Sequence, residues 1–353
     1  MVIHPRENDL VLATFGRSFW VLDDIKPLRA LARNKSMLNS FESGKPGTVQ
    51  LFPPTEAYQN AYQQPTGTRF AADAIYSGEN RPPGAKISYF VRPGAASDTD
   101  KKWDSIKLNV YDGARLIRTL KTKAPEKAGL YDFRWSLDEK AADRPSRTIR
   151  KNNSERGGLS VRPGSYELEL IYGTQKSSEK INVKADPRLN QSKETLEEIY
   201  YTGKELQKIT QVAADAVNQL VQSKNTAEDF QKKMKEADED LYKDEIQSSK
   251  DIIKKIDEQI ALFIGKDDER QGIVRSPEQN VMTRIGTASS YISSRPEGLT
   301  DTEYRLLAQA KDELREALES VNTFYGDAWP AYKSTIQSLN LSPFKEIQSF
   351  TID

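Results

Sequence analysis

There is not one cysteine among the 353 residues. Disulfides, thiolate zinc sites, iron–sulfur clusters and a thiol nucleophile are thereby excluded, while the redox environment is left open. Histidine is nearly as scarce. His4 stands alone, so a Ser-His-Asp triad or a multi-histidine metal site would have to use a residue near a frayed end. No apolar run approaches the ~18–20 residues of a bilayer-spanning helix. No basic segment followed by an apolar core opens the chain, so no signal peptide is read in it. An excess of charge is missing too: 52 Lys and Arg balance 52 Asp and Glu, and nothing global draws the chain to nucleic acid or an anionic membrane. A phosphate-cradling glycine loop, a Gly-x-Ser-x-Gly elbow and a His-Glu-x-x-His pair are all lacking. No cofactor is expected.

What is present is organised by period. The length predicts two or three domains. The mean hydropathy of −0.71 is polar but not disordered. Residues 10–14 (LVLAT) and 18–22 (SFWVL) are two apolar runs around Phe15-Gly16-Arg17, the pattern of a β-hairpin. Lys26 to Arg33 reads as a short helix capped by Asp23-Asp24. Residues 34–47, polar and Gly/Ser/Pro-bearing, read as a linker.

From 48 to 186 the period is two. Ile106, Leu108 and Val110 share one face, as do Tyr166, Leu168 and Leu170. Asp112-Gly113 reads as a hairpin turn. Short strands at regular spacing predict a β-sandwich, with the charged stretch 138–160 as a mobile loop. From 187 to 353 the 3.6 period predicts three or four helices in a bundle. The first is expected from a Ser192 cap to about Ser223, on a stripe from Leu196 to Leu220. The second runs from about Thr226 to Gly265, with a break near Asp244. The third opens at Ser276-Pro277. The fourth, from Asp301 to Leu339, carries a Thr300/Glu303 capping box and a kink at Pro330.

The opening residues His4-Pro5-Arg6, Asn8-Asp9-Leu10, Gly16-Arg17, Phe19-Trp20 and Leu22-Asp23-Asp24 resemble the last propeller blade of bacterial sortilin-like proteins with BNR repeats, often labelled glycosyl hydrolases. Phe15 departs from the family, which often has His there. "VQLFPPTEAY", "YDFRWSL", "RPGSYELELIYG" and "VKADPR" are similar to that family's next domain, itself similar to the Ig-like domain of the flagellar hook-capping protein. The resemblance implies a multidomain β-then-α chain. Residues 1–33 would be a blade remnant, 48–186 an Ig-like sandwich and 187–353 the helical bundle. It also implies that the propeller is the partner, and that full-length members are periplasmic or secreted.

The expected function is a non-catalytic accessory segment that supports the propeller or binds a protein or glycan. The alternative is the C-terminal portion of a sialidase-like glycoside hydrolase whose catalytic propeller lies outside this chain. No catalytic or metal residue is assigned. His4, Arg17, Trp20, Asp23 and Asp24 are read as a structural blade motif, with Arg17 in a blade salt bridge or cap. Tyr58, Tyr62, Phe70 and Tyr76 form the candidate contact surface, being aromatic with polar tips. Trp103, Tyr111, Tyr131, Trp135, Tyr166 and Tyr172 suit a sugar-stacking platform, though aromatics at alternating strand positions more often build core. Asp98, Asp100 and Asp104 only loosely resemble a calcium loop. The cluster Arg147, Arg150, Lys151 and Arg156 lacks the interleaved aromatics of a nucleic-acid site.

Overall fold

The computed structural model describes residues 1–43, 45–60, 82–94, 103–149, 154–266 and 279–339. Strands come first and helices after, in two compact units. One comprises residues 1–141 and 154–200, the other 142–153 and 201–353.

The first unit begins with three short antiparallel strands, β1 (Val2–Ile3), β2 (Leu10–Ala13) and β3 (Phe19–Leu22), in that order across the sheet. Gly16, at φ +80°, turns β2 into β3, a conformation glycine takes without steric cost. Helix α1 (Lys26–Arg33) follows, starting at Ile25 with Pro27 in its first turn. No side chain caps it in the usual way, although the Asp24 carboxylate accepts from the Lys26 N–H at 3.4 Å. The stretch read as a linker holds a second helix, α2 (Lys35–Ser43). Leu31 of α1 buries with Phe52 and Phe90, and Met37 and Leu38 of α2 pack against them. That contact, invisible to local composition, is what makes these polar residues helical.

The larger sheets are built from β4 (Val49–Leu51), β5 (Ala57–Tyr58), β6 (Ala85–Val91), β7 (Ser105–Asp112), β8 (Arg115–Lys123), β9 (Gly129–Trp135), β12 (Gly164–Tyr172) and β13 (Gln175–Lys184). Between β9 and β12, β10 (Asp138–Lys140) pairs with β11 (Gly157–Ser160). One sheet runs β5-β13-β12-β7-β8, with β5 parallel to β13, and the other β4-β6-β9. Ile106, Leu108, Val110, Leu168 and Leu170 of the first share one core with Ile87, Tyr89, Val91 and Trp135 of the second. This is the face the two-residue period predicts. β6 is buried on both faces, because Phe90 looks instead toward α1. Gly84, at φ +92°, precedes β6, where a Cβ would lie 2.4 Å from the Trp135 carbonyl oxygen.

The stretch 138–160 is not a free loop of this unit. Its ends are the β10–β11 pair, and the described residues 142–149 group with the helices; 150–153 lie outside the described residues. There the Asp143 N–H donates to Gln211 (2.9 Å) and the Arg147 guanidinium to the Gly265 carbonyl (2.5 Å).

The helices are α3 (Lys193–Asp238), α4 (Lys243–Ile264), α5 (Val281–Ser293), α6 (Asp301–Gly326) and α7 (Ala328–Ser338). The break expected between Ser223 and Thr226 does not exist; α3 runs on for 46 residues. Ser223 is buried and shares a hydrogen bond with Tyr325. Thr226 Oγ1 donates back to the Gln222 carbonyl. The helix stops at Asp238, whose carboxylate accepts the N–H groups of Asp240 and Leu241, a side-chain turn that competes with the next helical bonds. The buried stripe passes through Leu206, Ala213, Val217 and Leu220, while Val212 is exposed. Helix α5 is capped by Asn280 and Thr283; its expected opening at Ser276-Pro277 lies outside the described residues. α6 has the Thr300/Glu303 capping box, and Pro330 ends the continuous helix. Its ring opposes the carbonyl of Gly326, four residues back and the last residue of α6. Among the described residues no helix is long and apolar enough to cross a membrane.

Candidate functional site

The most unusual surface is the opening sheet. Val11 and Leu12 of β2 are half-buried, but all four residues of β3 are open: Phe19 74%, Trp20 63%, Val21 59% and Leu22 51% exposed. Successive side chains of a strand point to opposite faces. Phe19 and Val21 therefore leave one face apolar, and Trp20 and Leu22 the other.

The hydrogen bonding of β3 follows from two contacts. The Thr14 N–H donates to the Ser18 carbonyl at 3.2 Å, and the His4 N–H to the Asp9 carbonyl at 2.8 Å. Bonded and non-bonded pairs alternate in an antiparallel ladder. Leu12–Trp20 and Leu10–Leu22 are register partners and so exchange the β2–β3 bonds. The N–H and C=O groups of Phe19 and Val21 point the other way, to an edge that no strand among the described residues pairs with.

The base of this sheet is fixed by polar contacts. The Asp9 carboxylate accepts the Asp24 N–H at 2.9 Å, and the Asn8 carbonyl accepts that of Ile25 at 2.9 Å. Arg29 donates to the Asn8 side chain at 3.2 Å. His4 Nδ1 accepts the Glu7 N–H at 3.1 Å, so His4 shapes a turn. Asp24 is buried, with φ +48°. Trp20 Nε1 donates to the Arg17 carbonyl at 3.2 Å. The sequence predicts Arg17 in a blade salt bridge or cap; among the described residues it forms no ion pair with Asp23 or Asp24, and its carbonyl accepts from Trp20.

Of the tyrosine-rich contact surface, Tyr62, Phe70 and Tyr76 lie outside the described residues. Tyr58 sits on β5 between two cations, with Arg6 5.8 Å and Lys184 5.9 Å from its ring centre. The sugar platform is not assembled: Trp135, Tyr166 and Tyr172 are core, and Trp103 packs edge-on against Tyr172 at 5.0 Å. Asp98, Asp100, Arg150 and Lys151 are likewise outside the described residues. Asp104 accepts from the Ser105 hydroxyl at 3.0 Å. Among the described residues no three His, Asp or Glu are grouped to hold a metal.

Two features escaped the sequence. Arg115 makes a two-pronged bond to Glu139 (2.9 and 3.0 Å) and also reaches Asp112 and Tyr200 at 3.0 and 3.1 Å. The Tyr200 hydroxyl donates to Glu139 as well. The Glu139 bond raises the Arg115 pKa, and burial, then Glu139, raises that of Tyr200. Both shifts hold Arg115 charged and the Tyr200 hydroxyl neutral, so the contact acts as a strut. These residues are far apart in sequence and carry no local signal. The second is an open groove of about 730 Å³ in the helical unit. Tyr201, Tyr304, Leu307, Lys204, Lys208 and Lys311 are among the residues lining it. A Lys311–Glu205 ion pair of 2.8 Å joins α6 to α3 there. The groove is lined from two helices whose pairing the periodicity alone does not specify.

No protein-family model matches the chain, and a search of curated proteins finds none similar to it.

Proposed function

We propose that this chain is a non-catalytic accessory and interaction segment of an exported sortilin-like BNR-repeat propeller protein. In this reading the β1–β3 sheet belongs to the last blade, the two larger sheets form an Ig-like sandwich, and the helices form a bundle that helps orient the propeller. The single observation that carries it is β3. A strand apolar on both faces suits a sheet packed between neighbours on either side, as a blade is. The series from His4 to Asp24 supports the same reading by resemblance, and the propeller, export and absence of a reaction in this segment follow from that resemblance.

The experiment is an immunoblot of fractionated source cells with an antibody against α3–α6. The expected result is a band several-fold above 39.9 kDa in a periplasmic or secreted fraction. A single band at 39.9 kDa would remove the covalent propeller and leave a free interaction module. The sialidase-like alternative shares the size expectation and differs in chemistry. It requires the native protein to release sialic acid from a sialoside, whereas the accessory reading assigns no such activity to this segment.

A further inference from the structure

We infer that the acidic turn between α3 and α4 seats in the α3–α6 groove of a second copy, joining chains through two unlike surfaces. Both surfaces belong to the helical unit, and neither draws on the propeller reading.

The groove carries positive charge on both walls. Lys204 and Lys208 of α3 and Lys311 of α6 line it, against the single carboxylate of Glu205. Lys311 takes that carboxylate at 2.8 Å. Lys204 reaches the neutral side chain of Gln207 at 3.3 Å. Lys208 is exposed and forms no ion pair among the described residues. Between these charges lie the buried Leu307 and the exposed rings of Tyr201 and Tyr304. Such a surface suits a partner that is apolar at its apex and negative on either side of it.

The turn from α3 into α4 has that chemistry. Residues 238–245 (DEDLYKDE) hold five carboxylates and one lysine. None of the five is in an ion pair among the described residues. Leu241 stands in their midst at 69% exposed, more than any other large apolar side chain described in the helical unit. Seating it in the groove removes that surface from water while carboxylates before and after it meet lysines on both walls.

The occupant cannot be the chain's own turn. α3 is one uninterrupted helix from Lys193 to Asp238, which holds Lys208 and Asp238 about 45 Å apart at ~1.5 Å per residue. The turn of one copy therefore reaches only the groove of another. Because the two surfaces differ, the contact is either exchanged reciprocally by two antiparallel copies or runs on from copy to copy.

The test is sedimentation velocity of the full chain across the micromolar range at low salt. The expected result is a mass that rises with concentration and falls back toward 39.9 kDa as salt screens the charges. Two double variants are made at exposed positions. Lys208→Glu with Ala308→Glu reverses the charge of the groove. Asp240→Lys with Leu241→Ser removes the apolar apex and one carboxylate of the turn. Each alone is expected to weaken association about tenfold or more. Mixed in equal amounts they recover it, because one brings an intact turn and the other an intact groove, and they stop at a 1:1 pair. Far-UV circular dichroism confirms beforehand that each variant keeps its helices. A chain monomeric throughout the range overturns the inference. So does an association that both variants leave unchanged, or a mixture of folded variants no larger than its components. None of these results depends on the immunoblot, so the self-association and the propeller reading fail separately.

Discussion

Gly84 shows how a single residue sets the entry to the core. Its φ of +92° and the 2.4 Å approach of a Cβ to the Trp135 carbonyl oxygen are two separate objections to any side chain. Gly84→Ala is expected to destabilise the β unit by more than ~1 kcal/mol, since alanine resists positive φ and the carbonyl belongs to the main chain. Chemical denaturation monitored by near-UV circular dichroism checks this. The sequence shows the glycine, and the Pro-Pro-Gly before β6 reads as a turn. It does not show the carbonyl, which comes from β9 some fifty residues on.

At the same scale, buried hydroxyls connect the helices. Ser249 and Tyr332 share a 3.0 Å hydrogen bond; Ser249 is fully buried and Tyr332 nearly so. Ser249→Ala leaves the tyrosine hydroxyl without that partner and is expected to cost roughly 1–3 kcal/mol. Tyr332→Phe costs less, because Ser249 still donates to the Glu245 carbonyl at 2.9 Å. The double variant should lose less than the sum of the two. Additive losses in a urea-denaturation cycle would mean that the pair is not coupled.

At the scale of elements, the start of α6 is the best-defined signal in the chain. Thr300 and Glu303 cap each other's main chain, and the Glu303 carboxylate lies 3.4 Å from Arg295 Nε. Hydrogen bonds from Thr300 hold the Glu303 pKa below its ordinary value, with Arg295 adding to the effect. The sign of the linkage is that of a depressed carboxylate. The stabilisation is present above the unfolded value of ~4.3 and is lost as pH falls through the lower folded value. Glu303→Gln, which keeps a capping box, should flatten this acid dependence. Thr300→Ala should cost ~1 kcal/mol at neutral pH. Thermal melts of both variants between pH 3 and pH 7 check the pair. An acid slope unchanged in Glu303→Gln would assign that slope to other carboxylates.

The elements also divide by what a sequence can reveal. β7 and β12 are legible because their burial alternates within each strand. The break before α7 is legible because proline acts on its own neighbours. The end of the first long helix is misread because Ser223, Asn225 and Thr226 look like a loop. Ser223 is instead held by Tyr325, about a hundred residues away, and tertiary contact outweighs local propensity. α2 is misread for the same reason.

For the molecule as a whole, the β-then-α order is legible, since the apolar period changes from two to 3.6 near residue 187. The compact units nevertheless divide at Tyr200, inside α3, because contacts rather than periodicity decide where a unit ends. The candidate site is legible in part. The hairpin could be read from its apolar runs and Gly16. The outward turn of Phe19 and Val21 was not legible, for it depends on which residues of β2 they face. Nor was the strut of Arg115, Glu139 and Tyr200.

The four tryptophans are distributed so that the chain carries its own optical reporters. Trp20 stands in water on β3, Trp135 is sealed in the β core, Trp103 is half-covered beside it, and Trp329 lies half-buried among the helical aromatics. Indole emission shifts to the blue and escapes a dissolved quencher when water is removed from it. Whatever covers the opening sheet should therefore change one fluorophore of the four and leave the others as internal references. An iodide titration of an unlabelled sample would then follow occupancy of that strand without any tag.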